Sequence, residues 1–358
     1  MSVALAADGA QKRWIESPRY DLALLALSPL CGLLVAAAAL YFGEQRLLKA
    51  NFIETMFFLL GMPHYLSTYS FFMGDENVSY YRTRKLAFFV GPLLIVGLLT
   101  ASLALHFYIL VTLVVDTWNV FHVSRQSMGI LSIYRHRGRG NNMAEKLAAN
   151  SALFCLCAGL YCIRIDKQDS FGHYLGMLPW NPGPYLTPVL LTIGLIALGV
   201  LLGRMRRRGS GIGAPELVFL LSSCLLFAPY IFIRYRPLAS TAMLSGHYIQ
   251  YLGILWLLNH RRYAGGMAGS IRQTVLARMS ANPMRVITLL AIVSLGVFGI
   301  DRIVHVMHAS AFHTWWLNIV VLLHFYFDGL FWAFKHPYVR GSIGPYLVWY
   351  EPKQLAAA

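Results

Sequence analysis

Apolar runs of about 20 residues recur along almost the whole chain, and that leaves few folds open. Ten such segments are readable, with ends placed to about 3 residues. They cover roughly 20–42, 52–72, 86–105, 107–131, 144–163, 185–203, 215–233, 238–259, 285–303 and 313–335. Each is near the ~20 residues that carry a helix across a hydrocarbon core. Charged residues make up 13% of the 358, against about 25% in a soluble domain, so there are too few to coat a globule in water. The two-residue alternation of an outer-membrane barrel is missing. The expected fold is therefore all-α: a polytopic membrane helical bundle of about ten transmembrane helices. No long linker divides it, so residues 1–358 are read as a single integral-membrane helical domain.

The charges that remain give an orientation. The formal net charge is +15, and the basic residues gather after the even-numbered segments. Arg82, Arg84 and Lys85 follow the second, Arg135, Arg137 and Arg139 the fourth, and Arg204, Arg206, Arg207 and Arg208 the sixth. Arg261, Arg262, Arg272 and Arg278 follow the eighth, Lys335 and Arg340 the tenth. The positive-inside rule then puts both termini in the cytoplasm. The expected location is the inner (cytoplasmic) membrane of a bacterium. Basic loops at a membrane surface meet anionic head groups, so the charge does not call for nucleic acid as a partner. The interval 261–283 is the longest interior loop and is expected to hold a short surface helix.

Polar side chains inside hydrocarbon are costly without partners, which makes four histidines the most informative residues. His64, His122, His247 and His324 all lie on even-numbered segments, about 12, 15, 9 and 11 residues in. At ~1.5 Å per residue these depths agree within about 9 Å. Neutral imidazoles at one level share a partner most readily in a metal ion or haem iron. Asp328 stands four residues after His324, on the same helix face. The proposed metal ligands are His64, His122, His247, His324 and Asp328. Asn119, His122 and Gln126 share a face, and Gln250 is three residues after His247. Asn119, Gln126 and Gln250 are read as polar support for the cofactor, orienting the rings. Tyr65, Tyr248, Tyr251 and Tyr326 can line an apolar pocket while their hydroxyls bond a ligand. Of these, Tyr248 and Tyr326 are the expected catalytic contacts.

Imidazole plus carboxylate suits non-haem iron best, one or two ions, with copper or zinc less specific. The five cysteines, Cys31, Cys155, Cys157, Cys162 and Cys224, lack the clustering of an iron–sulfur site. A centre inside the bilayer reaches lipid-dissolved substrates, which points to metal-dependent oxidation of a lipid or isoprenoid. The constellation resembles that of the integral-membrane histidine-rich non-haem iron oxygenases, which include desaturases, hydroxylases and bacterial carotene dioxygenases. That resemblance implies an oxygenase with bound iron. It covers the principle of intramembrane histidines only. The paired histidine boxes of desaturases are absent, so no residue roles carry over. No nicotinamide or flavin motif is present, so any electrons must come from a separate donor, and the basic face including Arg261 and Arg262 suits either an anionic head group or an acidic electron-donor protein.

Two other functions fit part of the pattern. A haem-binding electron-transfer protein would use histidines ~14 residues apart on each of two helices. His122 and His136 are 14 apart, but His247 and His260 are 13 apart, which turns the second ring ~140° off the first face. A proton- or ion-coupled transporter would also hold intramembrane His and Asp.

Overall fold

The computed structural model describes residues 14–139, 142–165, 183–207, 214–264, 269–306 and 310–348. Among them the chain is helical throughout and no strand occurs. The principal helices, in chain order, are α1 (Pro29–Phe42), α2 (Met62–Thr68), α3 (Asp75–Arg82), α4 (Gly91–Ala104), α5 (Tyr108–Arg139), α6 (Met143–Cys162) and α7 (Gly183–Arg207). They continue as α8 (Ala214–Leu225), α9 (Arg236–Tyr263), α10 (Ile271–Ser280), α11 (Pro283–Val306), α12 (Ser310–Phe331) and α13 (Pro337–Leu347). The protein is an integral membrane protein by the length and apolarity of its helices.

Five helices are long and apolar enough to cross a membrane: Leu86–Ala104, Met143–Cys162, Gly183–Arg207, Ala214–Phe232 and Pro283–Ile303. A sixth follows if Pro18–Ala26 and α1, bent by 41°, make one broken span. In Leu86–Ala104, Gly183–Arg207 and Pro283–Ile303 only 11% of the apolar window is buried, so their surface is left for lipid. About ten spans were expected from the sequence. The segments that fall short are the four that carry the histidines. Helices α5 and α9 are long, at 32 and 28 residues, but polar side chains interrupt their apolar runs, and in α12 the apolar stretch Trp315–Phe331 is short of spanning length. The second segment is a continuous helical run, Phe52–Met56, Phe57–Gly61 and Met62–Thr68, with a π turn at its middle and the polar residues Glu54, His64, Ser67 and Thr68 along it. Both chain ends, whose side was expected to be cytoplasmic, lie outside the described residues.

The chain divides into two compact units. The first comprises 1–54, 119–250 and 347–358; the second comprises 55–118 and 251–346.

In the first unit, α6 and α7 meet through reciprocal glycines. A Cβ at Gly194 would sit 2.7 Å from Leu156 Cγ, and one at Gly159 would sit 2.9 Å from Leu191 Cγ. Small residues permit this close approach, which supplies van der Waals packing where lipid offers no hydrophobic drive. Arg135, expected in a basic loop, is instead a buried residue of α5, 3.1 Å from Glu216 and 3.6 Å from Glu145. A buried guanidinium needs such partners.

The break before α1 follows from Pro29. Leu27 N–H bonds Leu22 C=O in a wide π turn, and Leu30 N–H bonds Leu27 C=O. Pro29 has no N–H to give the Leu25 carbonyl four residues earlier. Gln250 supplies it instead, its amide nitrogen 2.8 Å from Leu25 O. Ser222 O–H donates to the next carbonyl, that of Ala26.

In the second unit, α12 presents an inward stripe of Asn318, Val321, His324, Phe325, Asp328 and Phe331, all buried at three- and four-residue spacing. The short helix expected within 261–283 is present as α10. Its N-cap Ser270 accepts from Gln273 N–H and gives its own hydroxyl to Asp75 at the start of α3. That hydroxyl, with the Ser270 N–H, holds the Asp75 carboxyl below the usual carboxylate range.

Candidate metal centre

Within the second unit, α2 and α12 place His64 and His324 together. The Phe57–Gly61 stretch runs as a π turn, with Met62 N–H bonding Phe57 C=O. Pro63 follows at the start of α2. An extra residue in the turn reorients the side chains after it, a feature that clusters at functional sites. His64, Tyr65, Ser67 and Thr68 are all buried behind it.

The two imidazoles meet nitrogen to nitrogen, with His64 Nε2 2.9 Å from His324 Nε2. Asp328 Oδ2 lies 3.6 Å from the same His324 nitrogen. On its other side, His324 Nδ1 is 2.9 Å from Thr68 Oγ1. The hydroxyl of Thr68 donates to Asp328 Oδ1 at 3.2 Å, and Tyr251 O–H donates to the same oxygen at 2.7 Å. Thr68 and Tyr251 are themselves 2.7 Å apart. Because Thr68 gives its proton to the carboxylate, it accepts from His324 Nδ1–H. That assignment turns the Nε2 lone pair toward His64 and Asp328 Oδ2. Tyr251 also packs edge-on against His64, with ring centroids 4.5 Å apart.

The other two histidines form a pair in the first unit. His122 on α5 and His247 on α9 are both buried, with ring centroids 5.7 Å apart and planes at 85°. Tyr248, also buried, has its ring 6.0 Å from that of His247. Asn119 and Gln126 are half-buried on α5. Gln250 has its amide on the Leu25 carbonyl, as above.

Tyr326 occupies a different position from the one its neighbour His324 implied. Its hydroxyl donates to Ala87 C=O at 2.7 Å. Leu86–Val90 is a π turn in which Gly91 N–H takes Leu86 C=O, so the next donor in line is Pro92, which has no N–H. Tyr326 fills that role, and Gly91 admits it, since a Cβ there would meet the tyrosine oxygen. Arg261 and Arg262, expected to form an open basic face, are engaged. Arg261 donates to Tyr346 C=O and Arg262 to Glu76, at 2.7 and 2.8 Å.

Sequence reasoning missed Thr68 as a site residue and gave Tyr251 only as a lining ring. The signal for Thr68 was present: it stands four residues after His64, as Asp328 does after His324.

No family model, curated protein or solved structure matches this chain.

Proposed function

We propose that the protein is a membrane-embedded, metal-dependent oxidase or oxygenase of lipid or isoprenoid substrates, with non-haem iron as the first choice of metal and copper or zinc as others. The observation that carries the reading is the donor set of His64, His324 and Asp328. Two histidines and one carboxylate are the ligand set of many non-haem iron sites, and here both His64 Nε2 and Asp328 Oδ2 approach His324 Nε2, at 2.9 and 3.6 Å. Two nitrogens bound to one ion at right angles with bonds of ~2.1 Å lie about 3.0 Å apart, and His64 and His324 Nε2 are 2.9 Å apart. A cation there also offsets the cost of burying the Asp328 carboxylate, several kcal/mol per ion.

The bound metal would supply the oxidising chemistry, and the surrounding side chains do the rest. Thr68 and Tyr251 fix Asp328 Oδ1 and leave Oδ2 for the ion. Thr68 also sets the His324 tautomer. His122 and His247 are the second proposed pair of ligands, with Tyr248, Asn119 and Gln126 about them. The histidine-bearing helices are proposed to span the bilayer with the apolar ones, giving about ten spans and cytoplasmic termini in a bacterial inner membrane. The substrate enters sideways from the lipid, and electrons arrive from a separate protein.

Metal analysis and an optical spectrum of the purified protein test the centre. Iron without a Soret band supports it, a Soret band replaces it with haem, and metal-free active protein removes it. Lipid extracts from cells with and without the protein, grown with and without oxygen, test the reaction. An oxygen-dependent change in one lipid that His324→Ala abolishes supports the proposal. Identical extracts, with turnover of a water-soluble substrate, overturn it.

A further inference from the structure

The second unit holds a cavity of about 180 Å³ that plays no part in the imidazole cluster. Its floor is aromatic: Tyr81 stacks on Phe88 at 4.2 Å, and Phe88 on Phe331 at 6.0 Å. One wall is the stacked pair Tyr80 and Tyr338, with centroids 3.7 Å apart and planes at 6°. The rim is cationic and is made by Arg84, Lys335 and His336. Arg84 Nη1 donates to His336 Nε2 at 2.8 Å, and its guanidinium carbon lies 4.9 Å from the centre of the Tyr80 ring. Tyr80 Oη is 3.3 Å from His336 Nδ1. Among the described residues no carboxylate pairs with Arg84, Lys335 or His336. A guanidinium has five N–H donors, so the two nitrogens near the imidazole leave others for a ligand.

The position of this rim matters as much as its charge. Arg84 stands two residues before Leu86, where the lipid-facing span Leu86–Ala104 begins. Lys335 and His336 follow Phe331, where α12 ends. The Tyr326 bond to Ala87 C=O fastens those two helix ends together. The rim thus lies at the level where apolar helices give way to polar chain. From it runs an apolar track, with Leu86 78% and Leu93 71% exposed. A pocket for a whole small molecule measures about 300–1,000 Å³. At 180 Å³ this one admits a head group whose bulk stays outside.

We propose that this cavity binds the phosphate head group of an anionic phospholipid. Arg84 and Lys335 take the phosphate oxygens, a planar fork beside a point charge. The tyrosine wall packs the glycerol end, and the acyl chains lie along Leu86 and Leu93. The assignment does not rest on the metal centre.

The test uses the full chain, purified in a neutral detergent and stripped of lipid. It is mixed with dioleoyl phosphatidylglycerol, dioleoyl phosphatidylcholine or inorganic phosphate, and bound lipid per chain is counted by native mass spectrometry. One phosphatidylglycerol per chain is expected, held at least tenfold more tightly than phosphatidylcholine. Arg84→Gln and Lys335→Gln should each weaken it about tenfold, while Arg204→Gln in the other unit should not. Gly329→Leu keeps every charge; a Cβ at Gly329 meets open space in a helix that lines the cavity. It should weaken binding by plugging the site, and it serves as the deciding variant if a charge variant fails to fold. Equal retention of both lipids, or retention untouched by Gly329→Leu and Lys335→Gln, overturns the proposal. Displacement of phosphatidylglycerol by inorganic phosphate at equal concentration would assign the site to a free anion and overturn the lipid.

Discussion

Replacing Thr68 by valine keeps the branched shape and removes one hydroxyl that serves three neighbours. Its oxygen is 2.7 Å from Tyr251 Oη, 2.9 Å from His324 Nδ1 and 3.2 Å from Asp328 Oδ1. Taking a partner from a buried polar group costs about 1–3 kcal/mol, so the metal-free variant should be less stable by that amount. The second effect is on the metal. Loss of a residue that orients a ligand lowers affinity about 10- to 100-fold. A divalent ion at 100 times its Kd stabilises the native state by ~2.7 kcal/mol. The same concentration gives Thr68→Val only ~1.4 kcal/mol after a tenfold loss, and ~0.4 after a hundredfold loss. The assay is denaturation of both proteins in one detergent, with and without ferrous iron under nitrogen, followed by circular dichroism. Thr68→Ser, which restores the hydroxyl, should recover most of the metal-induced gain. If wild type and Thr68→Val gain the same stability from the ion, the hydroxyl does not organise a metal site. If no divalent ion stabilises the wild type, the site does not exist as argued.

Asp328→Asn keeps the shape and removes the charge, so metal content should fall about tenfold or more; full occupancy would leave Asp328 as a helix-packing residue. Gln250→Leu strips the donor from the Leu25 carbonyl and should cost about 1–3 kcal/mol with metal content unchanged. Loss of metal at unchanged stability would move Gln250 to the centre instead. The Asp75 carboxyl is held below its ordinary range by Ser270, so its contribution is full above the unfolded value near ~3.9. It is lost as pH falls through the lower folded value. Hydrogen-exchange protection at the start of α10, corrected for intrinsic rate, should be flat from about pH 7 to pH 4 and drop below that. Ser270→Ala should shift the drop upward, and a loss already complete at about pH 5 would contradict the assignment.

The helices and the membrane were readable because apolar runs of spanning length admit few other folds. The histidines stood out for a related reason, since each is a polar exception in an apolar segment, and His64 and His324 do meet. Their near neighbours were less so. Periodicity put Gln250 beside His247, but a proline more than 200 residues away decides what its amide must do. Tyr326 was assigned by its nearness to His324, yet Pro92 leaves an acceptor at Ala87 that claims it. Arg135 looked like a loop charge because its two carboxylate partners lie on other helices. For Gln250, Tyr326 and the Arg135–Glu216 pair the deciding group is distant in sequence, and local pattern carries no trace of it. Thr68 was within reach, since a hydroxyl one helical turn after His64 matches the spacing of His324 and Asp328.

The two carbonyls left open before Pro29 also tie this chain to the order of its own synthesis. Their donors arrive late: Ser222 is 196 residues after Ala26, and Gln250 is 225 after Leu25. Ribosomes add about 5–20 residues each second, so the Leu25 carbonyl waits roughly 10–45 s for its amide. An open carbonyl in hydrocarbon costs several kcal/mol. If the bent pair of helices is one span, that cost disfavours settling of the first apolar segment until α8 and α9 have been made. A chain stalled before Ser222 would expose that segment to extraction, whereas one stalled after Gln250 would hold it fast.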